Sequence, residues 1–216
     1  QDGMEVSMTA CVGLCGPMGA GKGSVLAFLK SRGWECFSLS DVLRMRLRER
    51  GLEPTRELLV QEGNTLRDGP EGAGALGVAA CEYMQQYQRD HPAVPGFVVD
   101  SIRHPQEVLA LRKYHQEEKC ANSFRLLALD APVLLRWKRC GSRGREGDPT
   151  VTLQDFVQAD DRELYGLAGS AATSQSIRKV MAMADEYFVN TGTLEDVDAF
   201  VELWLFPSEV SREQEL

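Results

Sequence analysis

A chain of 216 residues is long enough for one α/β domain with a substantial core and hardly long enough for two. Its 32 acidic and 24 basic residues give a formal net charge of −8, which argues against a general nucleic-acid-binding protein, because neutralising a phosphate backbone requires lysine and arginine. The basic residues are instead clustered at 44–50 and at 136–145, and local groups of this kind in an acidic protein suit a small anionic ligand.

The six cysteines and three histidines have no spacing typical of a metal site or a disulfide framework. We therefore expect free thiols in a reducing, intracellular compartment, the cytoplasm. No apolar run approaches the roughly 18–20 residues of a membrane span, and the N-terminus lacks the basic region of a signal peptide. These features predict no membrane partner, and they leave the oligomeric state open.

Short β-type runs alternate with longer helical patterns along the chain. The predicted strands are 8–15, 35–39, 96–100, 124–130 and 186–190. The predicted helices are 22–32, 41–50, 55–68, 71–90, 105–119, 132–140, 152–164, 173–184 and 193–205. Strands that alternate with helices form βαβ units, so we predict a three-layer α/β fold, a five-stranded parallel sheet with helices on both faces. One domain would span 8–206, between a disordered N-terminus at 1–7 and a polar tail at 207–216.

A glycine-rich segment, GPMGAGKGS at 16–24, follows the first strand and opens a helix, which is the context of a phosphate-binding loop. Glycines let the backbone fold around phosphate with its N–H groups inward, and the helix adds its positive end. Lys22, which we expect to face solvent when no ATP is bound, can follow the transferring phosphate. A glycine-rich turn with an incidental lysine is the alternative. The motif predicts a P-loop NTPase fold in which ATP is bound by Gly16, Gly19, Ala20, Gly21, Lys22, Gly23 and Ser24.

One departure from the general motif points to a family. Gly23 stands where a serine or threonine usually follows the lysine, and the hydroxyl comes one residue later, at Ser24. This G-K-G-[ST] variant resembles adenylate kinase and its nucleoside monophosphate kinase relatives. The resemblance implies ATP and Mg²⁺ as cofactors, with magnesium held largely through water and Ser24 as a phosphate contact and weak metal ligand.

The resemblance continues at the expected acceptor side. The segment SLSDVLR at 38–44 is similar to the family's I-S-T-G-D-L-L-R, with matches at Asp41 and Arg44. In the family this arginine binds the acceptor monophosphate, so Asp41 and Arg44 are predicted to bind substrate within a helical region at about 41–90. Leu39 replaces the family threonine that contacts the base, which leaves the base open. A solvated helix charge is the alternative for Arg44.

The segment FVVDSIR at 97–103 is an apolar strand that ends in an acid, the usual second half of a P-loop site. It resembles the family's D-G-F-P-R, shortened by one residue. The resemblance implies that Asp100 acts on magnesium through water and that Arg103 binds the acceptor phosphate and takes part in catalysis. An N-cap ahead of Pro105 is the alternative for Asp100.

A short lid is expected at about 139–165, where the family brings arginines over ATP. Arg139, Arg143 and Arg145 match this pattern and, with Lys22 and Arg103, are the predicted catalytic residues. Solvated surface charges are the alternative for any one of them. The details DSIR and RGREGD look nearest to short archaeal-type adenylate-kinase-like ATPases, some labelled dephospho-CoA kinase-like.

These observations predict an ATP-dependent kinase that moves the γ-phosphoryl group to a small phosphate-bearing acceptor, a nucleoside or deoxynucleoside monophosphate. A monophosphate oxygen is already a nucleophile, so such an enzyme needs no general base. The alternatives are a kinase with a hydroxyl acceptor, like dephospho-CoA kinase, and a regulatory P-loop ATPase without an acceptor.

Overall fold

The computed structural model describes residues 10–117, 124–143, 152–165 and 176–207. Within these ranges lie the strands β1 (Ala10–Cys15), β2 (Glu35–Ser38), β3 (Gly96–Asp100), β4 (Arg125–Asp130) and β5 (Glu186–Val189). The helices are α1 (Lys22–Ser31), α2 (Leu39–Glu49), α3 (Arg56–Arg67), α4 (Ala75–Asp90), α5 (Pro105–Glu117), α6 (Val133–Arg143), α7 (Leu153–Tyr165), α8 (Ile177–Met181) and α9 (Leu194–Leu205), with a short 3-10 helix at Gly72–Gly74. The segment 1–7, expected to be disordered, and the tail from 208 onward lie outside the described residues.

The strands form one parallel sheet in the order β2-β3-β1-β4-β5. In the centre, Val12 of β1 lies opposite Val98 of β3 and Arg125 of β4. The predicted five-stranded parallel α/β sheet is confirmed. All carboxyl ends of its strands meet at one edge, so the loops after β1 and β3 are neighbours there.

Alternating residues of the central strands serve two separate cores. Cys11 and Cys15 of β1 belong to a buried cluster with residues of α2, α4, α5 and α8. Val12 and Leu14 belong to a second cluster with residues of α1 and α9. Because side chains alternate across a strand, these two clusters place helices on both faces of the sheet, as predicted.

Two helix starts are set by capping boxes. The Ser38 hydroxyl accepts from the backbone N–H of Asp41, and the Asp41 carboxylate accepts from the backbone N–H of Ser38. Helix α2 therefore begins at Leu39, two residues before the predicted start at 41. Thr193 and Asp196 cap α9 in the same way. Helix α8 is only Ile177–Met181, shorter than the predicted 173–184, of which 173–175 lie outside the described residues.

No disulfide joins the described cysteines, which are Cys11, Cys15, Cys36, Cys81 and Cys140. Burial raises the pKa of Cys15 and Cys81 to about 12, which keeps both in the unreactive thiol form. Within the described parts of the chain, no helix has both the length and the apolar character needed to cross a membrane.

Candidate active site

The glycine-rich segment forms a tight loop between β1 and α1. Gly19 has φ +80° and Gly21 has φ +110°, a region that favours glycine. A Cβ at Gly19 would lie 2.7 Å from the backbone oxygen of Arg136, and one at Gly21 would lie 2.2 Å from Nδ2 of Asn190. The loop is thus held tightly against α6 and the end of β5, and it leads directly into the positive end of α1.

Lys22 does not face solvent as expected; it is partly buried and folded back on the loop. Its Nζ donates to the carbonyl oxygens of Gly16 at 2.7 Å and Pro17 at 3.1 Å. Burial lowers the pKa of Lys22, while the charge of Asp100 opposes that shift. The loop carbonyls stabilise the ammonium when no phosphate does, since a buried charge must find a partner.

Asp100 ends β3, directly beside β1, and its charge acts on Lys22. Its Oδ1 is buried without a hydrogen-bond partner among the described residues. The N-cap alternative does not fit, because the backbone N–H groups of Arg103 and His104 before α5 both donate to Oε2 of Glu107, at 2.9 and 3.0 Å. Asp100 therefore has a free oxygen beside the phosphate loop.

The donor set at this point fits magnesium. Mg²⁺ prefers oxygen ligands and usually keeps several waters, so one carboxylate and one hydroxyl can suffice with the substrate's phosphates. Asp100 supplies the free carboxylate oxygen, and the Ser24 hydroxyl belongs to the first turn of α1. In the described residues, no three or more His, Cys, Asp or Glu gather to hold a metal ion.

A first cavity, of about 600 Å³, lies beside the phosphate loop. We name it the nucleotide cavity; its lining includes Gly19, Gly21, Gly23, Ser24, Arg139, Ser142, Asn190, Gly192, Thr193 and Leu194. Asn190 holds the loop, because its Nδ2 donates to the carbonyl of Ala20 at 3.0 Å. Arg139 in turn donates to Asn190 O and Oδ1 at 3.1 and 3.2 Å. Burial lowers the pKa of Arg139.

The lid prediction included two further arginines. Arg143 is the last residue of α6. Arg145 falls in the stretch 144–151 of the expected lid, which lies outside the described residues. Arg136 of the same basic cluster is buried in the protein and paired with Asp160, so it is not available to a lid. Its Nη1 and Nη2 contact Oδ1 and Oδ2 of Asp160 at 2.5 and 2.6 Å. Its Nη1 also donates to the carbonyl of Met18 at 3.3 Å.

A second cavity, of about 510 Å³, lies between α2, α3, α4 and the loop after β3. We name it the acceptor cavity; its lining is Leu39, Ser40, Leu43, Arg56, Leu59, Val60, Gly63, Asn64, Arg67, Leu76, Ser101, Arg103 and Glu107. Arg103 forms an ion pair with Glu163 of α7, Nη2 to Oε1, at 3.2 Å. The sequence patterns singled out Arg103 here and missed Arg56 and Arg67.

Asp41 and Arg44 line a neighbouring cavity of about 420 Å³, with Lys30, Ser38 and Asp100. Arg44 Nη1 contacts Asp41 Oδ1 at 2.8 Å. Burial alone would raise the pKa of Asp41, but hydrogen bonds from Ser38 and Arg44 lower it. The two predicted acceptor arginines therefore border different cavities, which meet at Ser101.

The sheet order and the phosphate loop after β1 define a P-loop kinase-like α/β fold. A solved structure of a sugar kinase from Janibacter sp. HTCC2649, in unliganded form, shares the fold, with a TM-score of 0.52 and 16% identity over 91% of this chain and 94% of that one. At this identity the likeness concerns the fold alone.

The sequence places the chain in a family. It is 32% identical over 184 residues to a UPF0200 protein of Thermococcus gammatolerans, covering 85% of this chain and 87% of the relative. It is also 32% identical over 185 residues to a UPF0200 protein of Methanocaldococcus jannaschii, covering 86% and 83%. The chain belongs to the UPF0200 family. No family model matches it.

Proposed function

We propose that this protein is an ATP-dependent phosphotransferase that moves the γ-phosphoryl group of ATP to a nucleoside or deoxynucleoside monophosphate. The observation that carries the proposal is the position of two cavities at the carboxyl edge of one sheet. The nucleotide cavity borders the phosphate loop, and the acceptor cavity borders the loop that follows Asp100. Donor and acceptor bound there would meet beside Lys22 and Asp100.

Phosphoryl transfer asks the protein mainly to position two substrates and to neutralise charge. The loop amides and Lys22 hold the phosphates of ATP, and Lys22 exchanges its two carbonyl partners for phosphate oxygens. Arg103, in the lining of the acceptor cavity, holds the acceptor phosphate, and Arg44 assists from the neighbouring cavity. Arg139 contacts the nucleotide from the lining of its cavity. Magnesium, when bound, neutralises charge on the phosphoryl oxygens. Asp100 and Ser24 would hold it, in part through water.

The monophosphate acceptor is favoured by the positive charge of the acceptor cavity. Its lining includes Arg56, Arg67 and Arg103 against one carboxylate, Glu107. Glu107 is 1% exposed and already accepts two backbone N–H groups, so it is poorly placed to serve as a general base. A monophosphate oxygen requires no such base.

A hydroxyl acceptor is the second candidate. Two carboxylates, Asp100 and Glu163, lie close enough to Lys22 for their charges to act on it, and either could take a hydroxyl proton. A regulatory ATPase would need no acceptor cavity, and the cavity of about 510 Å³ argues against it.

The test is ADP formation by the purified protein with ATP, Mg²⁺ and one acceptor at a time: each nucleoside and deoxynucleoside monophosphate, dephospho-CoA, or none. Mass spectrometry should identify a diphosphate product from at least one monophosphate. Lys22→Ala should abolish turnover, and Lys113→Ala, an exposed lysine of α5, should leave it unchanged. Product only from dephospho-CoA would favour the second candidate, and acceptor-independent hydrolysis the regulatory ATPase.

A further inference from the structure

Arg67, the last residue of α3, lines the acceptor cavity, although no sequence motif indicates a role for it. Its guanidinium lies over Gly63, one turn earlier, where an added Cβ would be 3.2 Å from Arg67 Nη1. A glycine inside a helix costs about 1 kcal/mol relative to alanine. The buried Gly63 thus gives up helix stability and leaves room for the guanidinium.

No described residue forms an ion pair with Arg67. Within the described residues it makes no hydrogen bond and no ion pair, whereas Arg46 and Arg50 of α2 both pair with Glu62. The charge of Arg67 does act on the buried Glu107. Burial raises the pKa of Glu107, and its Oε2 already accepts two backbone N–H groups. The charges of Arg67 and Arg103 both act on this carboxyl, and both arginines line the acceptor cavity.

Arg44 differs from Arg67 in its ion pairing and in the cavity that it borders. It is paired with Asp41 at 2.8 Å and borders the neighbouring, smaller cavity. The acceptor cavity, in contrast, has an apolar wall that includes Leu43, Leu59 and Leu76. The acceptor cavity therefore combines an arginine that has no ion pair among the described residues with a surface for an organic group.

We propose that Arg67, together with Arg103, binds the phosphate of a monophosphate acceptor whose organic part packs against Leu43, Leu59 and Leu76. This inference rests on the proposed phosphotransferase function and adds a binding residue that the family resemblance does not supply. Two arginines can make several charge-assisted hydrogen bonds to one phosphate, which discriminates strongly against an acceptor that lacks it.

The experiment compares the wild type with Arg67→Ala, Arg67→Lys and the control Arg48→Ala. Arg48 is an exposed arginine of α2 outside the cavity lining, so the control makes the same change of charge. Titration calorimetry without ATP measures the binding of AMP, CMP, GMP and UMP, with adenosine as a phosphate-free probe. Acceptor KM and ATP KM are measured where transfer occurs, and circular dichroism checks folding.

Arg67→Ala should weaken monophosphate binding by about 10- to 150-fold, the range of one charge-assisted contact. Arg67→Lys should lose less, and Arg48→Ala, ATP KM and adenosine binding should change little. If the wild type binds a monophosphate but transfers no phosphoryl group to it, the proposed function fails. The binding data then still show whether Arg67 contacts the phosphate. Equal monophosphate binding by Arg67→Ala and Arg48→Ala overturns the inference and leaves the function standing. No monophosphate binding to the wild type overturns both.

Discussion

Arg136 of α6 and Asp160 of α7 form a buried two-point ion pair, with Nη1–Oδ1 and Nη2–Oδ2 distances of 2.5 and 2.6 Å. Both residues are only 4% exposed. The same guanidinium donates to the carbonyl of Met18 in the phosphate loop and, through Nε, to the carbonyl of Ala131 at 2.8 Å. One side chain thus connects α7, α6 and the phosphate loop.

Asp160→Asn should therefore destabilise the protein strongly. The variant keeps the size of the side chain but removes the carboxylate nearest to the buried Arg136, which then keeps only the more distant Asp130, with Nε–Oδ1 at 3.8 Å. Breaking a buried ion pair typically costs about 3–5 kcal/mol. Urea denaturation measures the free energy of unfolding. Asp161→Asn, at the exposed neighbouring position, is the control and should change it by about 0.5 kcal/mol or less. If the two variants are equally stable, the ion pair does not hold these helices together.

The lowered pKa of Lys22 predicts opposite pH effects on stability and on ATP binding. An unfolded lysine keeps its proton up to about 10.5, whereas the folded Lys22 loses it at lower pH because it is buried. Between these two values the unfolded chain binds more protons, so the free energy of unfolding should rise with pH. Phosphates favour the charged lysine, so ATP affinity should fall over the same range.

Lys22→Met isolates this effect from the other groups that titrate at high pH. The difference in free energy of unfolding between wild type and variant should change with pH in the direction given above. Calorimetry of ATP binding to the wild type should show proton uptake in that range, and the variant should show less. A difference that stays constant with pH would mean that Lys22 titrates at its ordinary value.

Much of the site could be predicted from the sequence because its parts are local. The phosphate loop is contiguous, and Asp100 lies beside it because the strands before both loops are neighbours in a parallel sheet. The sequence could not show which arginines border the site and which are paired inside the protein. Arg136 is buried against Asp160, a partner on another helix, whereas Arg139 is not. Arg50 pairs with Glu62, whereas Arg67 lines the acceptor cavity. Such pairings depend on tertiary packing, which no local pattern encodes.

Arg103→Ala and Arg44→Ala should impair use of the acceptor far more than binding of ATP. Each removes one charge-assisted contact to the acceptor phosphate, which corresponds to about a 10- to 150-fold rise in acceptor KM. The Arg103 variant should lose more, because Arg103 borders the acceptor cavity itself, whereas Arg44 borders the neighbouring cavity. Steady-state kinetics with each substrate varied in turn provide the measurement. Comparable losses in ATP affinity would place these arginines in the nucleotide half of the site.

Glu163 holds Arg103 when no acceptor is bound, at 3.2 Å and with side chains 26% and 42% exposed. An acceptor phosphate that binds Arg103 must displace this carboxylate. Glu163→Gln should therefore lower the acceptor KM, by up to about fivefold, since partly exposed ion pairs are worth about 0–1 kcal/mol. Glu117→Gln, an exposed glutamate of α5, is the matched control.

The double variant Arg103→Ala with Glu163→Gln separates this competition from a direct role of Glu163 in chemistry. If Glu163 acts only by occupying Arg103, its replacement should bring no gain once Arg103 is gone, and the two effects should not be additive. The charge of Glu163 also acts on Lys22, so with a hydroxyl acceptor Glu163 is placed to take the proton. A large fall in kcat with unchanged acceptor KM in Glu163→Gln would contradict the competition and would identify Glu163 as the group that takes the acceptor's proton.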